Sequence, residues 1–239
     1  MRRITVLLLV LALGGSVPAE EAQSPLVVAY IADSVDHLAG RAVMEEAYRR
    51  LEVPVEFRGF RADEALEASN GGKVGAELMR IDGIHLRFTG LEQVPIPINY
   101  QQIAAFSKTY RFPILGWHSL RPYKIGIVEG VLVAERGTRG MEVRAAASYT
   151  ELIEWIHDGE VDVGVMPRIS GLVALHDSER ADVQEMKGVL ETMLSYHYLH
   201  RSRADLRPRL SKVLKEMLLD GTTKKLRSEA YAKLLGGRR

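Results

Sequence analysis

A carboxylate and a guanidinium group, those of Glu77 and Arg80, stand three residues apart at the end of a predicted strand, Val74 to Leu78. An arginine fork binds a carboxylate in a bidentate manner, and a glutamate accepts hydrogen bonds from amines or hydroxyl groups. The pair therefore predicts contact with a small polar or anionic ligand. The same spacing also fits a structural ion pair at the strand end, and the sequence leaves both interpretations open.

Two further candidate contacts lie at the end of the first predicted strand, Leu26 to Ile31: Tyr30 is its last residue but one, and Asp33 follows it. Tyrosine offers a ring for stacking and a hydroxyl group for hydrogen bonding. Tyr30 also fits a core position, and Asp33 also fits a turn or a helix cap. Ligand contact and a purely local role therefore both stay open for these residues.

Catalytic and metal-binding motifs do not occur in the sequence. It holds no G-x-S-x-G, H-E-x-x-H or phosphate-loop run. The histidines are scattered, except for His197 and His200, which lie in a predicted strand that turns residues three apart to opposite faces. We expect no metal, no cofactor and no catalytic residue, and hence no enzyme, although catalysis by dispersed carboxylates stays open.

The first nineteen residues have the pattern of a secretory signal. Arg2 and Arg3 precede an uncharged run from Ile4 to Leu13, and small residues lead up to Ala19. The run is shorter than the 20 or so residues that span a membrane. We therefore predict cleavage near Ala19 and a soluble periplasmic protein, with a retained anchor as the alternative.

Composition narrows the range of partners. The chain has 239 residues, no cysteine and a net charge of +1, and loss of Arg2 and Arg3 with the signal changes that charge to about −1. A chain without a basic excess is not expected to bind nucleic acid. Without cysteine, disulfides and a lipoprotein anchor are excluded, so packing alone must stabilise the fold.

The order of elements predicts an α/β protein. The first strand leads into a helix with Asp36 at its N-cap, and a strand at Val53 to Phe57 completes a βαβ unit. A capping box at Ser148 and Glu151 begins a later helix. Towards the C-terminus, an apolar helical stripe is formed by Leu206, Leu210, Val213, Leu214, Met217 and Leu218.

Two segments of the chain align without a gap at an offset of 87 residues. Glu64 to Met79 and Glu151 to Met166 share five identities, among them Gly72 with Gly159. In each segment a glycine ends a helix and a strand follows, as expected for a C-terminal cap. Convergence on this pattern explains the likeness as well as duplication does. Either way, the segments predict equivalent strands in two halves.

Several short runs carry a family resemblance through their order and spacing between Leu26 and Ala232. The run from Gly72 to Arg80 is similar to G-x-x-D-G-E-L-x-R, KIGIVEG starts at Lys124, and a G-x-V-D run lies at Gly159 to Asp162. In these runs the chain resembles a divergent branch of the bacterial family 3 extracellular solute-binding proteins, which have the type II periplasmic binding protein fold.

The resemblance implies two lobes, each a central mixed sheet flanked by helices, joined by crossing strands near Gln102 to Lys108 and Thr192 to Leu199. Lobe 1 would hold residues 25–104 and 193–239, and lobe 2 residues 105–192. The strands that follow the aligned glycines Gly72 and Gly159 would then lie in opposite lobes and not in one continuous sheet. Ligand would bind between the lobes, beyond the carboxyl ends of the strands.

The resemblance also implies site residues. Tyr100 stands where the family has a ring before the first crossing, and Glu129 and Arg168 end two strands of lobe 2. Amino-acid receptors of the family carry a Ser/Thr-rich helix start and an aspartate at the latter two places. This chain has Gly130 to Val133 and Arg168 instead. We therefore expect an anionic group rather than an α-amino acid, with a solvated surface arginine as the alternative.

Three functions fit these features. The first is a monomeric receptor that delivers a small molecule to an ABC-type permease. The second is a sensory or partner-binding module of the same fold with an altered ligand site, for instance one that serves a sensor kinase. The third is a periplasmic lyase. Fold alone does not choose among them.

Overall fold

The computed structural model describes residues 24–32 and 34–236, so the predicted signal segment lies outside the described residues. Short β-branched runs form the buried strands, and longer amphipathic runs form the helices. The strands are β1 (Leu26–Ile31), β2 (Val55–Phe60), β3 (Ala76–Ile81), β4 (Leu91–Ser107), β5 (Ile125–Val128), β6 (Val143–Ala146), β7 (Val163–Pro167), β8 (Gln184–Glu185) and β9 (Glu191–His200). The helices are α1 (Val35–Arg50), α2 (Ala62–Asn70), α3 (Leu132–Gly137), α4 (Tyr149–Asp158), α5 (Arg168–Ser178), α6 (Leu206–Leu219) and α7 (Thr222–Gly236).

The strand order is symmetric about the centre of the sheet: β2-β1-β3-β9-β4-β7-β5-β6, with β8 paired to β4. β1 is parallel to β2 and β3, and β5 is parallel to β6 and β7. β3 then pairs antiparallel with β9, and β7 pairs antiparallel with β4. We call β1–β3 with α1, α2, α6 and α7 the first half, and β5–β8 with α3–α5 the second half.

Strands β4 and β9 cross between the halves where the sequence predicts crossings. β4 spans 17 residues and β9 spans ten. β4 pairs with β9 as far as Ile103 and with β7 from Ile103 to Phe106. Because the crossing strands are this long, β3 and β7 belong to one continuous hydrogen-bonded ladder. The expectation that these two strands do not lie in one continuous sheet was wrong.

The two segments that align at an offset of 87 residues nevertheless have equivalent positions in the structure. β3 and β7 each lie between a parallel strand and a crossing strand, so the two positions are equivalent. Gly72 and Gly159, which align in sequence, both have φ of +75°, in the left-handed region. Glycine reaches that region at little steric cost. The shared glycine therefore has a backbone reason: it lets the chain leave α2 and α4 in the same way.

Buried apolar side chains form separate clusters in the two halves. In the first half, β1, α1, β3 and α6 supply one cluster, in which Tyr48, Leu78 and Leu210 are fully buried. In the second half, Leu152 and Val165 are fully buried in two adjoining clusters. Burial of a large apolar side chain stabilises a protein by about 1.5–3 kcal/mol. Each half thus has its own apolar core.

The C-terminal helices complete the first half. α6 buries most of its predicted stripe, but Leu218 is 50% exposed, so the stripe is one residue narrower than the sequence indicates. α7 lies along α1 and also approaches α5 of the second half. In the described part of the chain, no helix has the length and apolar character needed to cross a membrane.

Candidate functional site

Glu77 and Arg80 form an ion pair inside β3. The strand starts two residues later than predicted and continues to Ile81, so both residues lie within it rather than at its exit. Residues three apart in a regular strand face opposite ways. A register irregularity against β9 between Glu77 and Arg80 breaks that alternation. It places the Arg80 Nε atom 2.8 Å from Glu77 Oε1.

The carboxylate of this pair is buried, and both partners form further hydrogen bonds. Glu77 is fully buried, and the Ser69 hydroxyl donates to its Oε2 at 3.0 Å. Burial raises the pKa of Glu77, and the charge and hydrogen bond of Arg80 oppose that rise. Arg80 also donates to the Ala62 carbonyl oxygen at 2.7 Å. The ion pair that the sequence left open is therefore present, and ligand contact by these residues stays a prediction.

Two other candidates, Tyr30 and Glu129, lie away from the cavity at which Tyr100 and Arg168 meet. Tyr30 is half-buried, and a Cβ at Gly59 would lie 3.2 Å from its ring, so it packs closely on β2. Glu129 is exposed, and its backbone N–H bonds Ala146 O at 3.0 Å. Asp33 lies outside the described residues. Neither Tyr30 nor Glu129 lines that cavity or the second one beside it.

Tyr100 and Arg168, which are 68 positions apart in the chain, meet at one cavity of about 350 Å³ between β4, α5 and α7. We call it the hinge cavity. Arg168 donates from Nε to Glu185 Oε1 at 2.6 Å, and the guanidinium of Arg227 lies 3.9 Å from the centre of the Tyr100 ring. The remaining lining residues are Asp36, Gln101, Gln102, Ile169, Leu172, Ser228, Tyr231 and Leu235.

A second cavity of about 430 Å³, which we call the cleft cavity, lies between the start of α1 and the starts of α4 and α5. Hydroxyl groups from both halves line it, those of Ser34, Ser148, Thr150 and Ser170. Burial raises the pKa of Tyr149, which also lines it. Its other lining residues are Ile31, Val35, Asp36, Gln101, Val173, Ala174 and Asp177.

The two cavities share Asp36 and Gln101, which form the wall between them. Gln101 Nε2 donates to Asp36 Oδ2 at 2.9 Å, and the Tyr231 hydroxyl donates to Oδ1 at 2.9 Å. Asn99 Nδ2 donates to the Asp36 carbonyl oxygen at 3.1 Å. Burial raises the pKa of Asp36, while the bonds from Gln101 and Tyr231 and the charge of Arg227 oppose the rise.

Asp36 corrects one sequence-based prediction. Ser34, not Asp36, is the N-cap of α1, and Asp36 lies inside the first turn with only 4% exposure. Its carboxylate faces partners from β4 and α7 instead of the helix backbone. Sequence patterns did not indicate Gln101, Arg227 or Tyr231 as site residues. The available signal was the spacing of 227 and 231, four apart on one helix face.

Two buried histidines support the first half next to this region. His37 Nδ1 accepts from the Ile31 N–H at 3.1 Å, and burial lowers the pKa of His37 to about 3, with a smaller contribution from the charge of Arg80. His197 lies 2.8 Å from the Tyr48 hydroxyl, and burial lowers its pKa to about 4. Both are neutral near pH 7 and act as structural hydrogen-bonding groups. Among residues 24–32 and 34–236, no cluster of three acidic, histidine or cysteine side chains could hold a metal ion.

Comparison with known proteins gives one related sequence and a set of similar structures. No family model matches the chain. An uncharacterised protein of Shewanella oneidensis is 28% identical over 182 residues, which cover 72% of this chain and 67% of that protein. A histidine kinase sensor domain with similarity to periplasmic binding proteins has a TM-score of 0.64 and 17% identity, covering 86% of this chain and 95% of the sensor domain.

Two ligand-bound structures are similar in the same way. The GluR0 ligand-binding core in complex with L-glutamate has a TM-score of 0.69 and 10% identity, covering 88% of this chain and 99% of that chain. An amino acid ABC transporter substrate-binding protein from Streptococcus pneumoniae, bound to L-arginine, has a TM-score of 0.60 and 15% identity, covering 88% and 96%.

These likenesses establish the fold class. The protein has the two-lobed type II periplasmic binding protein fold, with a mixed sheet flanked by helices, and this prediction is confirmed. Membership of family 3 itself stays a prediction. Identities below 20% establish the fold and not the ligand, because one fold hosts many unrelated functions.

Proposed function

We propose that the protein is a periplasmic solute-binding protein that captures a small polar or anionic metabolite between its two lobes. The observation that carries this proposal is the wall of Asp36 and Gln101, where two cavities lined from both halves meet. Concave sites with a few convergent polar groups, placed between domains, are the usual form of small-molecule sites.

The lining favours a polar solute. In the cleft cavity, the hydroxyl groups of Ser148, Thr150 and Ser170 come from the second half, and Ser34 comes from the first. A solute that bonds to both sets holds the halves together and is lost when they separate. In the hinge cavity, Arg168 gives a positive charge beside Tyr100, and we propose both as ligand contacts.

The proposed lobe boundaries follow the crossing strands. We place lobe 1 at residues 25–104 and 193–239 and lobe 2 at 105–192. The buried clusters of the first half draw on residues up to Ile98 and again from Leu199, and those of the second half on residues 103–190. Few apolar contacts therefore need to change if the lobes rotate about β4 and β9.

We further propose that the chain is exported, that cleavage near Ala19 releases it as a monomer, and that it delivers its solute to an ABC-type permease. The fold is shared with an ABC transporter substrate-binding protein. It is also shared with a histidine kinase sensor domain. Signalling is therefore the alternative to transport. If the protein serves transport, deletion of its gene should reduce uptake of the solute and should leave transcriptional responses to the solute unchanged.

A thermal-shift screen tests the binding function. The purified protein is heated with a panel of carboxylates, phosphorylated metabolites, sugars and amino acids. A ligand that binds only the folded state at 100 times its Kd stabilises it by about 2.7 kcal/mol, a shift of several degrees. We expect polar or anionic members to raise the melting temperature without being consumed. Turnover of a compound would favour the lyase instead, and no response to any class would contradict solute capture.

A further inference from the structure

One face of the C-terminal helix α7 lines the hinge cavity with polar and charged side chains. Arg227, Ser228, Tyr231 and Leu235 line the cavity, and their spacing places them along one side of the helix. The helix belongs to the first half, while Arg168 and Leu172 on the opposite wall belong to the second. A ligand in this cavity would therefore touch a helix that sequence reasoning treats only as the end of the fold.

Arg227 is the unusual residue on that face. Its Nε atom is buried and has no hydrogen-bond partner among the described residues. A buried donor without an acceptor costs about 1–3 kcal/mol, and more when the group is charged. Such a cost is offset when a ligand supplies the acceptor. Stacking on the Tyr100 ring at 3.9 Å already holds the guanidinium in place, so little side-chain entropy remains to be lost on binding.

The charges around the cavity favour an anion. Two arginines and one aspartate line it. The two carboxylate oxygens of Asp36 already accept hydrogen bonds from Gln101 and Tyr231. The lining residues alone carry an excess of one positive charge, and Glu185, which does not line the cavity, pairs with Nε of Arg168. Among the described residues, Arg227 is therefore the lining arginine that has no ion-pair partner.

We infer that the hinge cavity binds an oxyanion group of a small metabolite, a carboxylate or a phosphoryl group, and that Arg227 is its anchor. The inference rests on the proposed function in that it names the chemical class of the captured solute. Guanidinium groups suit such oxyanions because their N–H groups form a planar fork. Arg168 and the hydroxyl group of Tyr100 supply further donors at the same cavity.

Titration with simple anions tests the inference before any metabolite is identified. Melting temperature is followed as inorganic phosphate or succinate replaces chloride at constant ionic strength. We expect the wild type to show a saturable rise with at least one of them. Arg227→Gln should weaken the apparent affinity at least tenfold, and Arg227→Lys should restore part of it, because it keeps the charge without the fork. Response to phosphate alone indicates a phosphoryl group, and response to succinate alone indicates a carboxylate.

The matched control is a substitution elsewhere on α7. Lys225→Gln removes one positive charge from the exposed side of the same helix and should titrate like the wild type. A wild type without a saturable response, or an Arg227→Gln variant that responds as the wild type does, overturns the inference. If Arg227 serves only to hold α7 through Tyr100, the variant loses stability in chloride but keeps its anion response. If a metabolite from the screen binds the wild type and Arg227→Gln with equal affinity, this inference is wrong but the proposed solute capture is not contradicted.

Discussion

The equivalent strands β3 and β7 differ in the environment of the arginine near their carboxyl ends. In the first half, Arg80 is locked against the fully buried Glu77 and the Ala62 carbonyl oxygen. In the second half, Arg168 begins α5 immediately after β7, and its side chain is 39% exposed beside the hinge cavity. An arginine thus lies near the carboxyl end of both strands, inside β3 in the first half and directly after β7 in the second. The arginine with the fully buried partner is held within the fold, whereas the partly exposed Arg168 is the one that we propose as a ligand contact.

The largest effect expected from this comparison concerns Arg80. Arg80→Ala leaves Glu77 buried with only the Ser69 hydroxyl as a side-chain donor, and loss of one partner from a buried pair costs about 3 kcal/mol or more. Chemical denaturation of the unliganded protein at pH 7 measures it. Arg58→Ala, in a pair with Glu56 that is about half exposed, is the control and should change stability by less than about 1 kcal/mol. An unaffected Arg80→Ala protein with lost ligand binding would reverse the assignment.

Arg168 should behave in the opposite manner. Arg168→Ala breaks a partly exposed pair, so the free energy of unfolding should fall by less than about 1 kcal/mol. Loss of a charged contact to an anionic ligand should instead weaken binding about 30-fold, which corresponds to about 2 kcal/mol. Calorimetric titration with the best compound of the screen measures this. Equal affinity in the variant would remove Arg168 from the site.

Acid sensitivity should also differ between the halves. His197 has its pKa lowered from 6.5 to about 4, so its neutral form favours folding, and this stability is complete above pH 6.5 and lost as the pH falls towards 4. The slope is at most about 1.4 kcal/mol per pH unit. His37 acts in the same direction, whereas the raised pKa values of Asp36 and Glu77 act in the opposite direction.

The measurement is therefore a difference between variants. Stability is followed from pH 7 to 4 in the wild type and in His197→Gln, and the variant should lose less stability over that range. Parallel curves for wild type and His197→Gln would show that burial of His197 does not set the acid response.

The smallest effect compares the twin glycines. Gly159→Ala places a Cβ in open space, so only the left-handed backbone opposes it, at about 1–2 kcal/mol. At Gly72 the added Cβ would lie 2.8 Å from the His200 ring, and the ring must move as well. We expect Gly72→Ala to be the more destabilising in thermal unfolding. The reverse order would mean that the two turns are not equivalent.

Local patterns predicted much of the fold. The first strand has the predicted bounds, and the Ser148 hydroxyl accepts from the Glu151 N–H at 3.1 Å, as its capping pattern indicates. The offset of 87 predicted the equivalence of β3 and β7. These features depend on residues that are near one another in sequence, or on a pattern that repeats.

Local sequence patterns predicted less of the candidate site than of the fold. Tyr100 and Arg168 were predicted and meet at one cavity, but the wall between the cavities joins Asp36 to Gln101 and Tyr231, 65 and 195 positions away. Nothing near Asp36 in sequence indicates that α7 will return to it. The β3 irregularity that pairs Glu77 with Arg80 is likewise invisible, because regular alternation predicts opposite faces.

Solute capture between the lobes, our central claim, is tested most directly by mapping amide chemical shifts in the protein with and without the best compound of the screen. We predict that saturation shifts signals from both halves around the shared wall, above all Gln101, Ser148, Arg168 and Arg227, with no comparable change near Arg58. Shifts confined to one half, or centred on the groove between α1 and α7 around Leu38 and Leu234, would contradict the account.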